Sequence, residues 1–419
     1  MKRFALLLFS LSLALPAFGA DKNSPLPRNF IPLKVLAEKG DAEAQARLAN
    51  YYSWGKGVKV DRIEAFKWAS RSAKQGNPIA KYHVAYAHLN GVGIPQDTVK
   101  AEVLYKQAAP ELLALAKQGN AISQFCLGQM YEDGRGLNRN EKEAFQWTMK
   151  AAKQGLPEAQ GAIGVMYLGG SGVKKDEKEA LMWLRKAEKK NLSDAKGAIG
   201  LLLIEGKLGV KKNTVKGLQL FQESVEQGSP SGMFILGTAY ISEEASLTFG
   251  VEMDAEKGVE LIRNSAKQGE STARFLLGTL LVSGQAEVQK DVKNGLKLLH
   301  TASAQNNPRA KWVLANFYLS GRFELGKDVA KGMKLFHESA EQGHPQSQYS
   351  LANIYFAGQP GVEKDLLKSY AWADIAASND HEQAKQAKKS IARRLTPEQI
   401  AKAEAMAKEM IKNNPRLLK

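Results

Sequence analysis

Three serines lie three residues before a lysine, which is the spacing of a serine nucleophile and its lysine base in one class of acyl-transfer site. The pairs are Ser53/Lys56, Ser171/Lys174 and Ser193/Lys196. The S-D-N and K-T-G elements that complete such a site are absent from the sequence, and two of the pairs fall at predicted turns between helices. We therefore interpret all three pairs as chance matches.

Two other patterns that could support catalysis are also incomplete. The zinc-binding pattern H-E-x-x-H begins at His337 and at His381, but its second histidine is missing in both places. Gly-x-Gly turns stand at Gly55/Gly57, Gly91/Gly93 and Gly134/Gly136. They lack the preceding strand and the GK[ST] ending of a phosphate loop, so we interpret them as turns. The sequence thus predicts a protein that is not an enzyme, with no metal site and no cofactor.

The elements that would position any site belong to a repeated unit of two short helices, seen most clearly between Asn140 and Asp176. An Asn or Asp side chain caps the free N–H groups of a helix's first turn. Such caps recur at Asp61, Asp97, Asn140, Asp176, Asn213, Asp254, Asp291, Asp328 and Asp365. We call the helix after each cap a capped helix, and we call the helices that alternate with the capped helices, starting with the one that contains Ala49, the partner helices. The pattern predicts an all-α fold, an α/α solenoid or superhelix of about nine 36-residue helix-turn-helix repeats.

Small residues recur at one place in each helix of the unit. Four positions after the cap they are Ala65, Ala101, Ala144, Ala180, Gly217, Gly258, Gly295, Gly332 and Ser369. In the partner helix they are Ala49, Ala85, Gly128, Gly164, Gly200, Gly237, Gly278, Ala315 and Ala352, which we call the crossing residues. Because Gly lowers helix stability by about 1 kcal/mol relative to Ala, repeated Gly inside helices indicates that the two helices cross closely.

Residues 1–19 have the pattern of a secretory signal peptide, with two positive charges, an apolar core from Phe4 to Leu15 and small residues before Asp21. The apolar run is too short for a permanent membrane span. We expect cleavage after Gly19 or Ala20 and a soluble mature chain in the periplasm or outside the cell.

The rest of the chain divides into a linker, a solenoid and a cap. Residues 20–32 contain three prolines and are predicted to be an extended linker. The solenoid is predicted over 33–379, where Gln107 to Leu115 adds about two turns to one helix and Ser242 to Met253 is interpreted as an inserted surface loop. Residues 380–419 are predicted to form two capping helices and a tail.

Charge and cysteine content limit the kinds of partner and cross-link. Removal of the signal peptide lowers the formal net charge from +16 to +14, and Lys and Arg are spread over all repeats without a dense run. Such a surface favours anionic partners, but it does not indicate a nucleic-acid site. The single Cys126 cannot form an intramolecular disulfide, and we expect it to be a small core residue.

The segments AEAQARLANYYSWGKGV, PEAQGAIGVMYLGGSGV and PQSQYSLANIYFAG, in a chain whose capped helices often end in AKQG or AEQG, resemble Sel-one-like repeats. These SLR proteins are a branch of the tetratricopeptide-like (TPR-like) α/α solenoids, and the resemblance covers about residues 31–413. It implies a scaffold for partner proteins. For an exported bacterial-type member it implies a periplasmic or secreted adaptor, for instance in envelope maintenance, signalling or contact with a host.

The resemblance also implies where a partner binds. In tetratricopeptide-like solenoids, positions three before and one after the crossing residue face a concave groove. Three before, the aromatic residues are Tyr82, Phe125, Phe234, Phe275, Trp312 and Tyr349, interrupted by Ala46, Gly161 and Gly197. One after, the amides are Asn50, Gln129, Asn316 and Asn353. Aromatic faces beside amides can hold an extended protein or peptide segment. Alternatively, the aromatic side chains fill gaps between neighbouring helices.

A second functional class remains open from the resemblance. Some members of a cysteine-rich secreted branch of the family are penicillin-binding or weakly β-lactamase-like. This sequence lacks the paired cysteines of that branch. The alternative to a scaffold is therefore a cell-wall fragment binder or a weak β-lactamase-like enzyme.

Overall fold

The computed structural model describes residues 30–54, 61–92, 94–190, 192–207, 209–323, 325–359 and 361–418. Some predicted features lie outside these ranges. They are the predicted signal peptide, most of the predicted linker, Lys56 and the glycines at 55, 57 and 93. The described residues form 22 α-helices and one 3-10 turn, Pro415–Leu417. The helices are α1 (Phe30–Glu38), α2 (Ala42–Trp54), α3 (Arg62–Lys74), α4 (Pro78–Asn90), α5 (Thr98–Lys117), α6 (Ala121–Asp133), α7 (Glu141–Lys153), α8 (Pro157–Gly169), α9 (Glu177–Lys189), α10 (Ser193–Glu205), α11 (Thr214–Glu226), α12 (Pro230–Ile241), α13 (Glu243–Phe249), α14 (Ala255–Lys267), α15 (Ser271–Ser283), α16 (Val292–Ala304), α17 (Pro308–Ser320), α18 (Val329–Ala340), α19 (Pro345–Ala357), α20 (Leu366–Ser378), α21 (Glu382–Ala392) and α22 (Pro397–Asn413).

Every predicted helix cap is confirmed. All nine Asn and Asp side chains accept a hydrogen bond from a backbone N–H in the first turn of the helix that follows. Partner helices end in left-handed glycines such as Gly91 and Gly134, whose N–H groups donate to Ala87 O and Met130 O. The alternation of capped and partner helices therefore follows from local chemistry, and the chain is an α/α solenoid.

The close crossing of partner and capped helix is also confirmed. A Cβ atom placed on Gly164 would lie 3.1 Å from Ala180 O and 2.7 Å from Leu184 Cγ. A Cβ on Gly200 would lie 2.7 Å from Gly217 O. Since carbon atoms in ordinary contact are about 3.5–4.0 Å apart, the glycines at these positions are required by backbone approach.

The crossing residue correlates with the size and branching of the side chain eight positions after each cap. The crossing residue is Gly where that position holds Thr148, Leu184, Phe221, Ile262 or Leu299. The crossing residue is Ala where that position holds Ala69, Tyr105, Phe336 or Ala373. Branched aliphatic side chains at this position are therefore always paired with Gly.

Polar side chains at the fourth position of the partner helix join neighbouring repeats. The Nε2 atoms of Gln45, Gln124, Gln160 and Gln348 each donate to the carbonyl eight residues earlier, at the end of the preceding capped helix. Where this position holds lysine, the side chain instead pairs with a glutamate of the following capped helix, in Lys81–Glu111, Lys196–Glu223 and Lys311–Glu338. Both arrangements satisfy polar groups that the packing of helices would otherwise bury.

Two segments differ from the sequence prediction. Helix α1 begins at Phe30, which is buried with Leu33 and Ala37, so the linker predicted over 20–32 is too long by three residues. The insertion over Ser242 to Met253 contains helix α13, and its Phe249 packs against Phe221 with 5.3 Å between ring centroids. It is therefore not a surface loop, because a buried phenylalanine anchors it to the core. The predicted lengthening of α5 is confirmed, since this helix has 20 residues.

The contacts divide the chain into two compact units, with the boundary inside α15. Unit 1 contains residues up to 277 and 285–288, and unit 2 contains 278–284 and 289 onward. The buried cluster of unit 2 includes Phe336, Leu351 and Trp372, and Ala403 and Ala407 of α22 complete it. Helices α21 and α22 form where the sequence predicts two helices, and α22 begins with a capping box at Thr396.

Candidate partner-binding surface

In unit 2, two aromatic residues of the predicted set are held by the following repeat. Trp312 of α17 is half-buried, and its Nε1 donates to Ser350 Oγ of α19 at 3.1 Å. Tyr349 of α19 is also half-buried, and its ring stacks on His381 with 4.7 Å between centroids and 29° between planes. Each ring is thus fixed in orientation while part of its surface stays exposed.

In unit 1, three aromatic residues of the set are core residues. Tyr82 and Phe125 are 3% exposed, and Phe234 is also buried. The Tyr82 ring lies 5.5 Å from the Tyr105 ring of the next capped helix, and burial raises the pKa of Tyr82 well above its usual value. For these three residues the groove prediction is wrong, because their rings fill the space between neighbouring helices. Phe275, at the end of unit 1 within α15, is half-buried.

The small residues that interrupt the aromatic set do not form a shallow stretch of groove. A Cβ on Gly161 would lie 2.7 Å from Leu192 Cδ2, and one on Gly197 would lie 3.2 Å from Ser224 Oγ. Ala46 is buried. The following helices occupy these positions, so the position three before the crossing residue faces the next repeat throughout unit 1.

The amide residues of the predicted set also differ between the two units. Asn50 and Gln129 are 7% and 4% exposed, so the prediction that they face a groove is wrong. Asn316 and Asn353 are exposed, and Asn316 Nδ2 donates to Trp312 O at 2.7 Å. Residues four apart on a helix share one face. Unit 2 therefore presents the same pair twice, an oriented aromatic ring and an exposed amide one turn later.

An ion pair and a neutral histidine lie within this pair of repeats. Lys311, next to Trp312, is buried and pairs with Glu338 at 2.5 Å. His337 Nε2 lies 3.1 Å from Tyr355 Oη, and burial, with a smaller effect from Lys368, lowers the pKa of His337. This imidazole is therefore neutral at pH 7, and the cationic groups near the surface are lysines and arginines.

The structure shows the surroundings of some residues that resembled catalytic motifs. Ser193 is buried on α10, and Lys196 pairs with Glu223 at 3.1 Å. Gly134 and Gly136 are left-handed, and a Cβ on Gly136 would lie 2.6 Å from the backbone of Tyr105, which is why the turn needs glycine there. Among the described residues, no three His, Cys, Asp or Glu side chains are placed to share a metal ion.

Cys126 is a buried core residue, as the sequence predicts, and burial raises its pKa to about 12. None of the helices within the described ranges is long and apolar enough to cross a membrane.

The architecture defines a helical-repeat protein whose repeats pack on their neighbours through crossing glycines and amide contacts. The Sel1 repeat model matches residues 42–77, 78–109, 121–156, 157–192, 193–229, 230–270, 271–307, 308–344 and 345–381, so the chain belongs to the Sel1 repeat family. Repeats of this family mediate protein–protein interaction.

Three relatives illustrate the similarity. The chain is 34% identical over 147 residues to an exopolysaccharide production negative regulator of Rhizobium meliloti, covering 32% of this chain and 53% of the regulator. The chain thus spans about half the length of this relative. It is 30% identical to c5321, a protective antigen with an SLR fold from uropathogenic Escherichia coli, covering 93% of this chain and 80% of that one with a TM-score of 0.49. It is 31% identical to a Sel1 repeat protein of Oxalobacter formigenes, covering 56% and 93% with a TM-score of 0.40.

Sequence reasoning missed the residues that orient the two rings. Ser350 and His381 hold Trp312 and Tyr349, and His344 lies 6.3 Å from the Trp312 ring. The sequence contained a signal for these histidines. His344 and His381 each stand directly before a partner helix, at a position where other repeats have Asn.

Proposed function

We propose that this protein is an exported, non-enzymatic scaffold that binds a partner protein or peptide through the surface formed by Trp312, Asn316, Tyr349 and Asn353. The observation that carries the proposal is the duplicated arrangement of an oriented, half-buried ring with an exposed amide one turn later. A fixed ring binds with little loss of side-chain entropy, and an amide can both donate to and accept from a peptide backbone.

Family membership supports a binding role, and the name of the Rhizobium relative, a negative regulator, agrees with a role without catalysis. The Ser-x-x-Lys pair at Ser193 supports the same reading, because Lys196 is already paired with Glu223. We expect purified protein to turn over neither β-lactams nor peptidoglycan fragments, which separates the scaffold from the cell-wall enzyme alternative. The net positive charge favours an anionic partner.

Capture of partners from envelope extract by the tagged mature protein tests the binding surface. Trp312→Ala is expected to lose capture while destabilising the protein by about 1–3 kcal/mol, less than the roughly 3–5 kcal/mol of a core aromatic. Asn316→Ala is expected to lose capture with little change in stability. Val215→Ala, at a residue that is 82% exposed in unit 1, is the matched control and should capture normally. Full capture by a stable Trp312→Ala protein would show that partners bind elsewhere.

Export is proposed from the signal-peptide pattern of residues 1–19. N-terminal sequencing of protein from the periplasmic or culture fraction is expected to start at Ala20 or Asp21. Recovery of the uncleaved chain only from membranes would contradict export of a soluble protein.

A further inference from the structure

Residues 414–418, which we call the closing segment, fold back from the end of α22 onto unit 2. Asn414 Nδ2 donates to Glu341 O at 2.8 Å. Gln348 Nε2 and Asn379 Nδ2 both donate to Leu417 O, at 2.9 and 2.5 Å. Leu417 is 2% exposed and belongs to the buried cluster of unit 2. The segment is therefore tied to unit 2 by the Asn414 amide, the main-chain carbonyl of Leu417 and the buried Leu417 side chain.

We propose that this contact is a peptide-binding site which the chain's own closing segment fills. When the closing segment leaves, the site takes a short segment of another protein that forms the same 3-10 turn, with a leucine in the place of Leu417 and that leucine's carbonyl accepting from Gln348 and Asn379. This site is separate from the aromatic and amide surface of unit 2, so the inference does not rest on the proposed function.

The amide pair that holds the closing segment is a modified form of a pair found in earlier repeats. Gln75 donates to Gln45, and Gln154 donates to Gln124, both at 2.8 Å, just as Asn379 donates to Gln348 at 2.9 Å. In the earlier pairs the partner-helix glutamine donates to the preceding capped helix, and Gln154 also donates to Gly119 O. Gln348 keeps the corresponding bond, to Ala340 O, but here both amides of the pair also donate to a carbonyl from a distant part of the chain.

Recognition of this kind is directed at the peptide backbone. Donors that bind a main-chain carbonyl accept any residue type there, and selectivity comes from the pocket that receives the side chain. The neighbouring Leu418 is 40% exposed, so only one of the two adjacent leucines is selected. The ligand class is therefore a short peptide that forms a 3-10 turn and carries one obligatory leucine.

The closing segment can leave without dismantling the cap. Helix α22 is held by the buried Ala403 and Ala407, by the capping box at Thr396 and by the hydrogen bond from Tyr370 Oη to Glu404. The gain from one buried leucine and three hydrogen bonds is similar in size to the cost of ordering about four residues. A tenfold excess of the bound state over the released state needs a net gain of only about 1.4 kcal/mol, so the segment can fill the site in most molecules and still leave it.

Fluorescence polarisation with a labelled peptide of residues 412–418 tests the proposal. A chain ending at Asn413, shown to be folded by circular dichroism, is expected to bind the peptide at least tenfold more tightly than the full chain does, since the full chain's site is occupied. The Leu417→Asp peptide should bind at least tenfold more weakly, whereas the Leu418→Asp peptide, with the same change in charge, should bind normally. Asn379→Ala in the shortened chain should weaken binding about tenfold.

Absence of binding by the folded, shortened chain would overturn the proposal, and so would equal binding of the two Asp peptides. Hydrogen exchange in the full chain gives a test that needs no truncation. The N–H of Leu417, which donates to Asn414 O at 3.1 Å, is expected to exchange at least tenfold faster than that of Ala407 in α22. Equal protection would mean that the segment opens only with the whole cap, and the proposal would then fail.

Discussion

Replacement of Gly164 by alanine tests whether the crossing glycine is fixed by the residue opposite it. The added Cβ would lie 2.7 Å from Leu184 Cγ and 2.9 Å from its Cδ2, nearly 1 Å inside ordinary contact. Cγ is the branch point of the side chain, so Leu184 cannot yield without changing rotamer. Overpacking of this kind typically costs about 1–3 kcal/mol.

The expected net effect is smaller than the clash. Alanine favours a helix by about 1 kcal/mol over glycine, so Gly164→Ala should lower the free energy of unfolding by at most about 2 kcal/mol. Leu184 is almost fully buried, and Leu184→Ala alone should cost about 3–5 kcal/mol. In that background the added Cβ meets no side chain, and Gly164→Ala should instead stabilise by about 1 kcal/mol.

The four proteins form a double-mutant cycle with an expected coupling of about 1–3 kcal/mol, equal to the clash itself. Urea unfolding followed by circular dichroism measures it, with the slope checked for each variant because repeat arrays can lose cooperativity. Gly169→Ala is the matched control, since Gly169 lies in the same helix and a Cβ there would meet nothing within 4 Å.

An additive cycle would refute the explanation, because the cost of alanine at Gly164 would then be independent of Leu184. The chain already contains the compensated combination, since Ala49 is paired with Ala69 and Ala352 with Ala373 at the equivalent positions. Gly164→Leu should be more damaging than Gly164→Ala in every background, because its larger side chain separates the helices.

Two further predictions concern single side chains in unit 1. Burial raises the pKa of Asp194 to about 6 although Ser229 donates to it, so the carboxyl stabilises the fold when protonated and loses this contribution as the pH rises from about 4 to 6. The free energy of unfolding of Asp194→Asn should therefore equal that of wild type near pH 4 and exceed it by about 1–2 kcal/mol at pH 7. A difference in the free energy of unfolding that is independent of pH would contradict this explanation. Phe249→Ala should lower the free energy of unfolding by about 3–5 kcal/mol because the ring anchors α13. Leu247→Ala, at a residue that is 78% exposed, should change it by less than about 0.5 kcal/mol. Equal thermal midpoints for these two variants would contradict the anchoring role of Phe249.

Local features of the fold could be predicted from the sequence, because each depends on residues a few positions apart. The cap at Asp176 and the glycine at Gly164 are examples, since both follow from helix chemistry that recurs in each repeat. The candidate surface could be predicted only in part. Tyr82 and Trp312 occupy the same position in their repeats, yet one is buried and the other is half-exposed.

The difference arises from residues that the repeat pattern does not specify. Tyr82 meets Tyr105 in the next capped helix, whereas Trp312 meets Ser350 and lies near His344. The contact of Leu417 with Gln348 joins residues 69 positions apart, which no periodic pattern encodes. Exposure at a repeated position must therefore be determined repeat by repeat from the packing of its neighbours.

The partner helices α8 and α10 begin in the same way, which affects how such a chain can change its length. Leu156 and Leu192 precede them with nearly identical backbone angles, φ −65° and ψ 115° against φ −73° and ψ 113°. Loss of residues 157–192 would join Leu156 to Ser193 and present the preceding capped helix with a partner helix of the same geometry. Unequal recombination at these positions would remove or duplicate one whole repeat without creating a new junction. Genes for such chains can therefore diverge in length by steps of one repeat, while a gain or loss of a few residues inside a helix shifts its crossing glycine out of register.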